Sequence, residues 1–196
     1  MTDLVDGKWT ETAFLGGDPA LDFINTVSDD LKTRVRTRLT DWERLVGWTR
    51  MADLDLPAPP AAEVPDDAGQ QLTALHQVRE AVYHLLLARR DGAPPAPLPQ
   101  DLTRAFQQVL ARARMVSGPQ GVQWQAVPGP AMLHDAILID LHRFLTTGPL
   151  DKVRQCGRCS WLFLNPGRGR GRQWCSMRLC GNRTKVATHR QRRAHA

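Results

Sequence analysis

Apolar residues recur at three- and four-residue steps along most of the chain, and strict alternation is confined to short stretches, a pattern that predicts helices joined by brief extended pieces. Asp18-Pro19 reads as an N-cap followed by proline at the first helical position, and Ala20, Leu21, Phe23, Ile24 and Val27 then form one apolar face. Thr40-Asp41-Trp42-Glu43 has capping-box spacing, and Leu45, Val46, Trp48 and Met51 carry a second helix toward Asp53. Residues 56–65 are too rich in proline for a helix and predict an extended loop. Leu72, Leu75, Val78, Val82, Leu85 and Leu86 mark a long helix closed by Gly92, before a second Ala-Pro loop over 93–99.

Leu102, Phe106, Val109 and Leu110 predict a further helix. Val122, Trp124 and Ala126 alternate after the Ser117-Gly118-Pro119 turn, as one arm of a small hairpin would. Leu133, Ile137, Leu141, Phe144 and Leu145 give a last helix that ends at Gly148-Pro149, the predicted boundary between a domain over 1–148 and a second over 150–196.

Composition narrows the class. With 196 residues, 42% hydrophobic and 23% charged, the chain suits an ordinary globular protein of one or two small domains. No apolar run approaches the roughly 20 residues needed to cross a bilayer, and the acidic start, Asp3 and Asp6, is unlike a secretory leader, so a cytoplasmic protein with no membrane partner is expected.

The net charge of +6 is divided sharply. Residues 151–196 hold twelve Lys/Arg and one acid, Asp151, whereas residues 1–150 hold fourteen against nineteen, so the segments carry +11 and −5. Such a basic tail attracts polyanions, nucleic acid above all.

All four cysteines lie in that tail. Cys156, Cys159, Cys175 and Cys180 are spaced C-x2-C, fifteen residues, C-x4-C, which suits two turn-borne pairs closing a tetrahedral four-thiolate site for one structural Zn2+. Disulfides would need an oxidising compartment, and a redox C-x-x-C would follow a βαβ pattern that the chain lacks. A metal is also what a basic segment of this size needs, because its own core is too small to offset its ordering entropy. Trp161 to Leu164 reads as a short strand, Gln173-Trp174 as a return toward the third cysteine, and Ser176 onward as a terminal helix, with Gly181-Asn182 as a possible break.

At 100° per residue, Arg183 and Arg190 share one stripe of that helix, and Arg178, Lys185 and Arg192 another about 200° away. Opposed basic stripes suit a helix in a major groove, flanked by phosphates on both sides. Arg168, Arg170 and Arg172 in the preceding turn add to this nucleic-acid-binding set, and Thr184, Thr188, His189 and Gln191 could read base edges.

Arg154-x-Cys156-x-x-Cys159-Ser160-Trp161-Leu162-Phe163, then Arg172-Gln173-Trp174-Cys175-Ser176-Met177 and Cys180-Gly181-Asn182-Arg183-x-Lys185-Val186, resembles the CGNR zinc finger. Leu21-Asp22-Phe23-Ile24-Asn25-Thr26 and Val78-Arg79-Glu80-Ala81 are similar to motifs of the ABATE domain that precedes this finger in its family. The stretch 165–170 departs from the family's usual turn, and its extra arginines keep the phosphate-binding charge. The resemblance implies a stress-responsive transcription regulator.

The expected fold is mainly α: a helical N-terminal sensory or dimerisation domain with a small β-hairpin, plus a C-terminal treble-clef-like four-cysteine zinc finger. The expected function is zinc-dependent binding of double-stranded DNA by a likewise expected homodimer. The N-terminal half shows no phosphate loop, no metalloprotease motif and no spare cysteine, so no enzyme is expected. Asp22 and Asn25, polar on an apolar helix, with Arg79, are the candidates for holding a small-molecule effector. His76 and His84, and His134 and His142, are spaced eight apart and would matter only if they face a pocket. Rival readings are an RNA-binding or ribosome-associated protein stacking bases on Trp161 or Trp174, and a small-molecule binder or enzyme whose pocket contains Asp22 and Asn25.

Overall fold

A computed structural model describes residues 4–5, 8–28, 32–60, 63–118, 121–165, 167 and 171–194. The elements in order are β1 (Leu4–Val5), β2 (Lys8–Trp9), α1 (Pro19–Ile24), β3 (Val27–Ser28), β4 (Arg36–Thr37), α2 (Trp42–Thr49), α3 (Ala68–Arg90), α4 (Gln100–Arg112), β5 (Arg114–Gly118), β6 (Gly121–Gln125), α5 (Met132–Thr147), β7 (Val153–Gln155), β8 (Leu162–Leu164) and α6 (Asn182–Ala194). The strands form four antiparallel pairs, each joining consecutive strands, so the fold is mainly α with small hairpins at its edges.

Short α1 lies against both α3 and α5, while α2 flanks α3 and α4 packs on α5. Leu21, Ile24, Leu45, Trp48, Leu75, Val82, Leu141 and Phe144 are fully buried where these helices meet, each burial worth about 1.5–3 kcal/mol for an aliphatic or phenyl side chain. Trp48 organises one end, edge-on to Phe23 and stacked on Phe14.

Asp18 caps α1 as expected, accepting from Ala20 N at 3.0 Å, but the helix ends at Ile24 and Val27 instead pairs with Thr37 in a β-ladder. The reason is local: the Thr26 hydroxyl donates to Phe23 O, and the Asn25 side chain leaves the helix altogether for a distant strand. In α2 the cap is Asp41, which accepts from Arg44 N at 2.8 Å, rather than Thr40, whose hydroxyl donates to Asp41. That helix stops at Thr49, short of Asp53.

Gly92, at φ 82°, supplies the left-handed residue that closes α3. α5 ends where Gly148 turns extended ahead of Pro149, and glycine is needed there because a Cβ would collide with the carbonyl and ring of Phe144. The β5–β6 hairpin exists with Met115 opposite Trp124, but Val122 and Trp124 stay exposed and only Ala126 reaches the core. Gln123 and Gln125, on the other face, donate to the Asp55 carboxylate.

Candidate metal centre and nucleic-acid interface

The sequence pattern places a hairpin between the two cysteine pairs, whereas the structure places the first pair within one. Strand β7 precedes Cys156 and pairs with β8, Arg154 opposite Phe163, so Cys156 and Cys159 sit in the connecting knuckle. Cys156 N donates to Trp161 O at 2.9 Å, which folds the knuckle back. Gln173 forms no strand; its carbonyl accepts from Gly157 N, and this bond brings Cys175 up to the first pair. Ser176 then starts a wide helical turn over Met177–Gly181, its carbonyl accepting from both Cys180 N and Gly181 N. Gly181-Asn182 therefore does not break the chain's course, and the π-type turn runs straight into α6.

The four Sγ atoms lie within 4.8 Å of one another and all four cysteines are buried. Cys159 to Cys175 is 3.7 Å, Cys175 to Cys180 3.6 Å and Cys180 to Cys159 3.7 Å. Zinc–sulfur bonds of about 2.3 Å at tetrahedral angles require sulfur–sulfur edges of about 3.8 Å, so the spacing fits one structural zinc ion. Hydrogen bonding to the Cys156 sulfur, reinforced by burial, pushes the Cys159 and Cys175 thiols well above the ordinary range. A dication is what lets four crowded sulfurs ionise together. Four protein sulfurs close the coordination sphere, so such an ion shapes the chain and offers no position for a reacting water.

The cysteine cluster is sealed by Trp161, Phe163 and Val27, the last of these from β3. It is not a free-standing knob. The Asn25 amide donates to Leu162 O and accepts from Leu162 N, both at 2.8 Å. Trp161 Nε1 donates to Val27 O at 3.1 Å, and Leu164 N donates to Gly16 O at 2.8 Å. On the α3 side, Gln155 Nε2 donates to Tyr83 Oη and Arg90 Nη1 donates to Gln155 Oε1. Val153 and Leu162 belong to the same core as the N-terminal helices.

A cluster around Arg34 has little signal in the sequence beyond alternating arginines at 34, 36 and 38. Arg34 makes two bonds to the Glu80 carboxylate, at 2.6 and 3.0 Å, and further bonds to Ile24 O and Ser160 Oγ, with its guanidinium over the Tyr83 ring. Burial opposes ionisation of Glu80, but the hydrogen bonds and charges of Arg34 and Arg79 prevail and hold it below the usual carboxylate range. One loop, the middle of α3 and the finger are thereby joined.

Arg178, Lys185, Arg190 and Arg192 are exposed and Arg183 is half-buried. The wide turn advances fewer degrees per residue than an α-helix, so Arg178 lies off the stripe that Lys185 and Arg192 share. Arg172 is engaged: Nη2 donates to Leu15 O at 2.8 Å and the guanidinium lies 4.0 Å from the Phe163 ring centre. Arg168 and Arg170 lie outside the described residues, as does the side chain of His189. The hydroxyls of Thr184 and Thr188 donate back into the helix, to Cys180 O and Thr184 O. Trp161 is fully buried and has no face to offer a base; Trp174 is half-buried.

The structure gives Asp22, Asn25 and Arg79 internal tasks. Asp22 accepts from Gly16 N at 2.7 Å, and desolvation pushes its carboxyl up to about 7. Asn25 is spent on Leu162, and Arg79 binds Thr26 O, the hydroxyls of Thr26 and Thr37, and Glu80. None of the three lines the cleft of about 580 Å3 beside Trp42 and Leu133, the one of about 420 Å3 between α3, α4 and α5, or the one of about 420 Å3 beside Arg172 and Trp174. The histidines have separate neighbours: His76 contacts Thr37 and Leu39 O, His84 meets the Tyr83 ring, His134 contacts Asp135, and His142 lines the cleft between α3, α4 and α5, edge-on to Phe106. Among the described residues the four cysteines form the one cluster suited to a metal.

Fold and centre together define a helical protein ending in a treble-clef-like, four-cysteine zinc finger. Residues 17–148 match the ABATE family, whose description is "Putative stress-induced transcription regulator", and residues 152–193 match the CGNR zinc finger. The first match alone spans more than half of the chain: the protein belongs to the ABATE family. No curated protein matches it. No helix among the described residues is long and apolar enough to cross a membrane.

Proposed function

We propose that the protein is a zinc-dependent, DNA-binding transcription regulator of the cytoplasm, with Cys156, Cys159, Cys175 and Cys180 as the zinc ligands. Residues 150–196 act as the DNA-binding finger, and residues 1–148 as the part that senses a small effector or forms a homodimer. The family description supports regulation rather than catalysis. The observation that carries DNA binding is α6: it leaves directly from the fourth cysteine, extends about 20 Å, and bears exposed Lys185, Arg190 and Arg192 with no acid between Lys152 and the C-terminus.

Arg178, Arg183, Lys185, Arg190 and Arg192 contact phosphates on the two walls of a groove, with Arg168 and Arg170 adding positive charge and Arg172 resting on Phe163. The metal fixes where α6 begins and hence its angle to the finger. Burial of Trp161 weighs against base stacking and so against the single-stranded RNA reading. The test is salt-dependent binding of the zinc-loaded chain to duplex DNA. About five phosphate contacts give a slope of roughly −4 to −5 in log affinity against log salt. A slope near zero, or equal affinity after chelation, overturns the reading.

A further inference from the structure

The C-terminal half of α3 and the facing turns of α4 and α5 enclose a cleft of about 420 Å3, a size that suits a small molecule. Its walls are apolar, formed chiefly by Leu86, Phe106, Leu110, Leu145 and Leu150. Arg89 is the one charged residue among those lining it, and it forms no ion pair among the described residues. His142, also in the lining, is held toward its neutral form by burial, with its ring edge-on to Phe106. An oily cleft with a single cation at its rim is complementary to a chain with a single negative charge at one end. A guanidinium pairs two-pronged with a carboxylate, whereas a phosphate monoester, carrying nearly two charges, calls for more than one cation.

We propose that this cleft binds a free aliphatic monocarboxylate, its chain among Leu86, Phe106, Leu110 and Leu145 and its carboxylate on Arg89. Occupancy bears on the finger from two sides. Leu150 lies three residues before β7, and Arg90, next to Arg89, donates to Gln155 of β7 at 3.0 Å, where Tyr83 of the same helix also binds. This gives a chemical class to the effector-sensing part of the proposed regulator and rests on that reading for its biological meaning, though not for binding itself.

The test is calorimetric titration of the full-length, zinc-loaded protein with hexanoate, octanoate and decanoate, and with 1-octanol as the uncharged counterpart. Saturable one-to-one binding is expected, tightening about fourfold per added methylene until the cleft is full. Octanoate should bind better than octanol, and Arg89→Gln should erase that preference without altering thermal unfolding. Leu145→Trp should block both ligands. Absence of saturation, equal affinity for acid and alcohol in the unaltered protein, or indifference to both substitutions overturns the proposal. So does a dimer in sedimentation that takes no octanoate and that Leu145→Trp dissociates, because the cleft would then be covered by a second copy. The titration contains no DNA, so a chain that takes octanoate but fails the salt test keeps this inference and loses the regulator reading. The opposite outcome loses the carboxylate alone.

Discussion

Asn25, at the end of α1, closes both hydrogen bonds of its side chain on the backbone of one residue, Leu162, in strand β8 of the finger. An amide side chain thus serves as a single rung of a β-ladder between the two parts of the chain, in the fully buried layer that also contains Phe163 and Ile24. Asn25→Ala leaves a buried N–H and a buried carbonyl unpaired, at about 1–3 kcal/mol each. Urea unfolding should show a loss of about 2–6 kcal/mol, and Asn25→Asp should not restore it, because a carboxylate cannot donate to Leu162 O. A loss under 1 kcal/mol would mean that the rung is replaceable.

Zinc removal should be felt beyond the finger. From the sequence alone, Cys175→Ser would be expected to unfold the tail and leave the N-terminal helices intact. The shared core of Val153 and Leu162 with α1 and α3, and Val27 sealing the cysteines, lead to the opposite expectation. Hydrogen exchange after chelation, or in Cys175→Ser, should speed up in α1 and in the central turns of α3 as well as in β7 and β8. Unchanged protection in α1 would show that the parts melt separately.

Asp22 gives stability a pH dependence. Desolvation, opposed by the bond from Gly16 N and by Arg172 and aided by the charge of Asp18, raises its folded-state value from 3.8 to about 7. A carboxyl with a raised folded value binds its proton more tightly when folded. Its contribution is therefore greatest below about pH 4 and is lost as pH rises to about 7. Asp22→Asn keeps an acceptor for Gly16 and should flatten this part of the profile, becoming more stable than the parent at pH 8. A parent profile that rises between pH 4 and 7 while the variant's stays level would overturn the assignment.

Lys185 and Arg192 share a stripe of α6 and are exposed, so Lys185→Ala and Arg192→Ala should leave unfolding unchanged. Each should reduce the steepness of the salt dependence for duplex DNA by about 0.9, additively in the double variant. Arg172→Ala should instead lower stability, through loss of its contacts with Leu15 O and Phe163.

What the sequence by itself determined are the features written in short spacings: the helical periodicities of α3 to α5, the Asp18-Pro19 start, the close of α3 at Gly92, the metal-ligand spacing of four cysteines and the segregation of charge into the last quarter of the chain. These depend on neighbours within a turn or a loop, and so leave a mark in the order of residues. Tertiary structure alone decided that β7 rather than Gln173-Trp174 partners β8, that Asn25 reaches 137 residues along the chain to bind Leu162, and that Arg34 locks Glu80 and Ser160 together. The partner of a buried polar group is whichever donor or acceptor packing brings within about 3 Å, and no periodicity encodes that choice. The same holds for the cleft over Arg89: its walls come from three helices whose apolar stripes read as ordinary core until their packing leaves a gap.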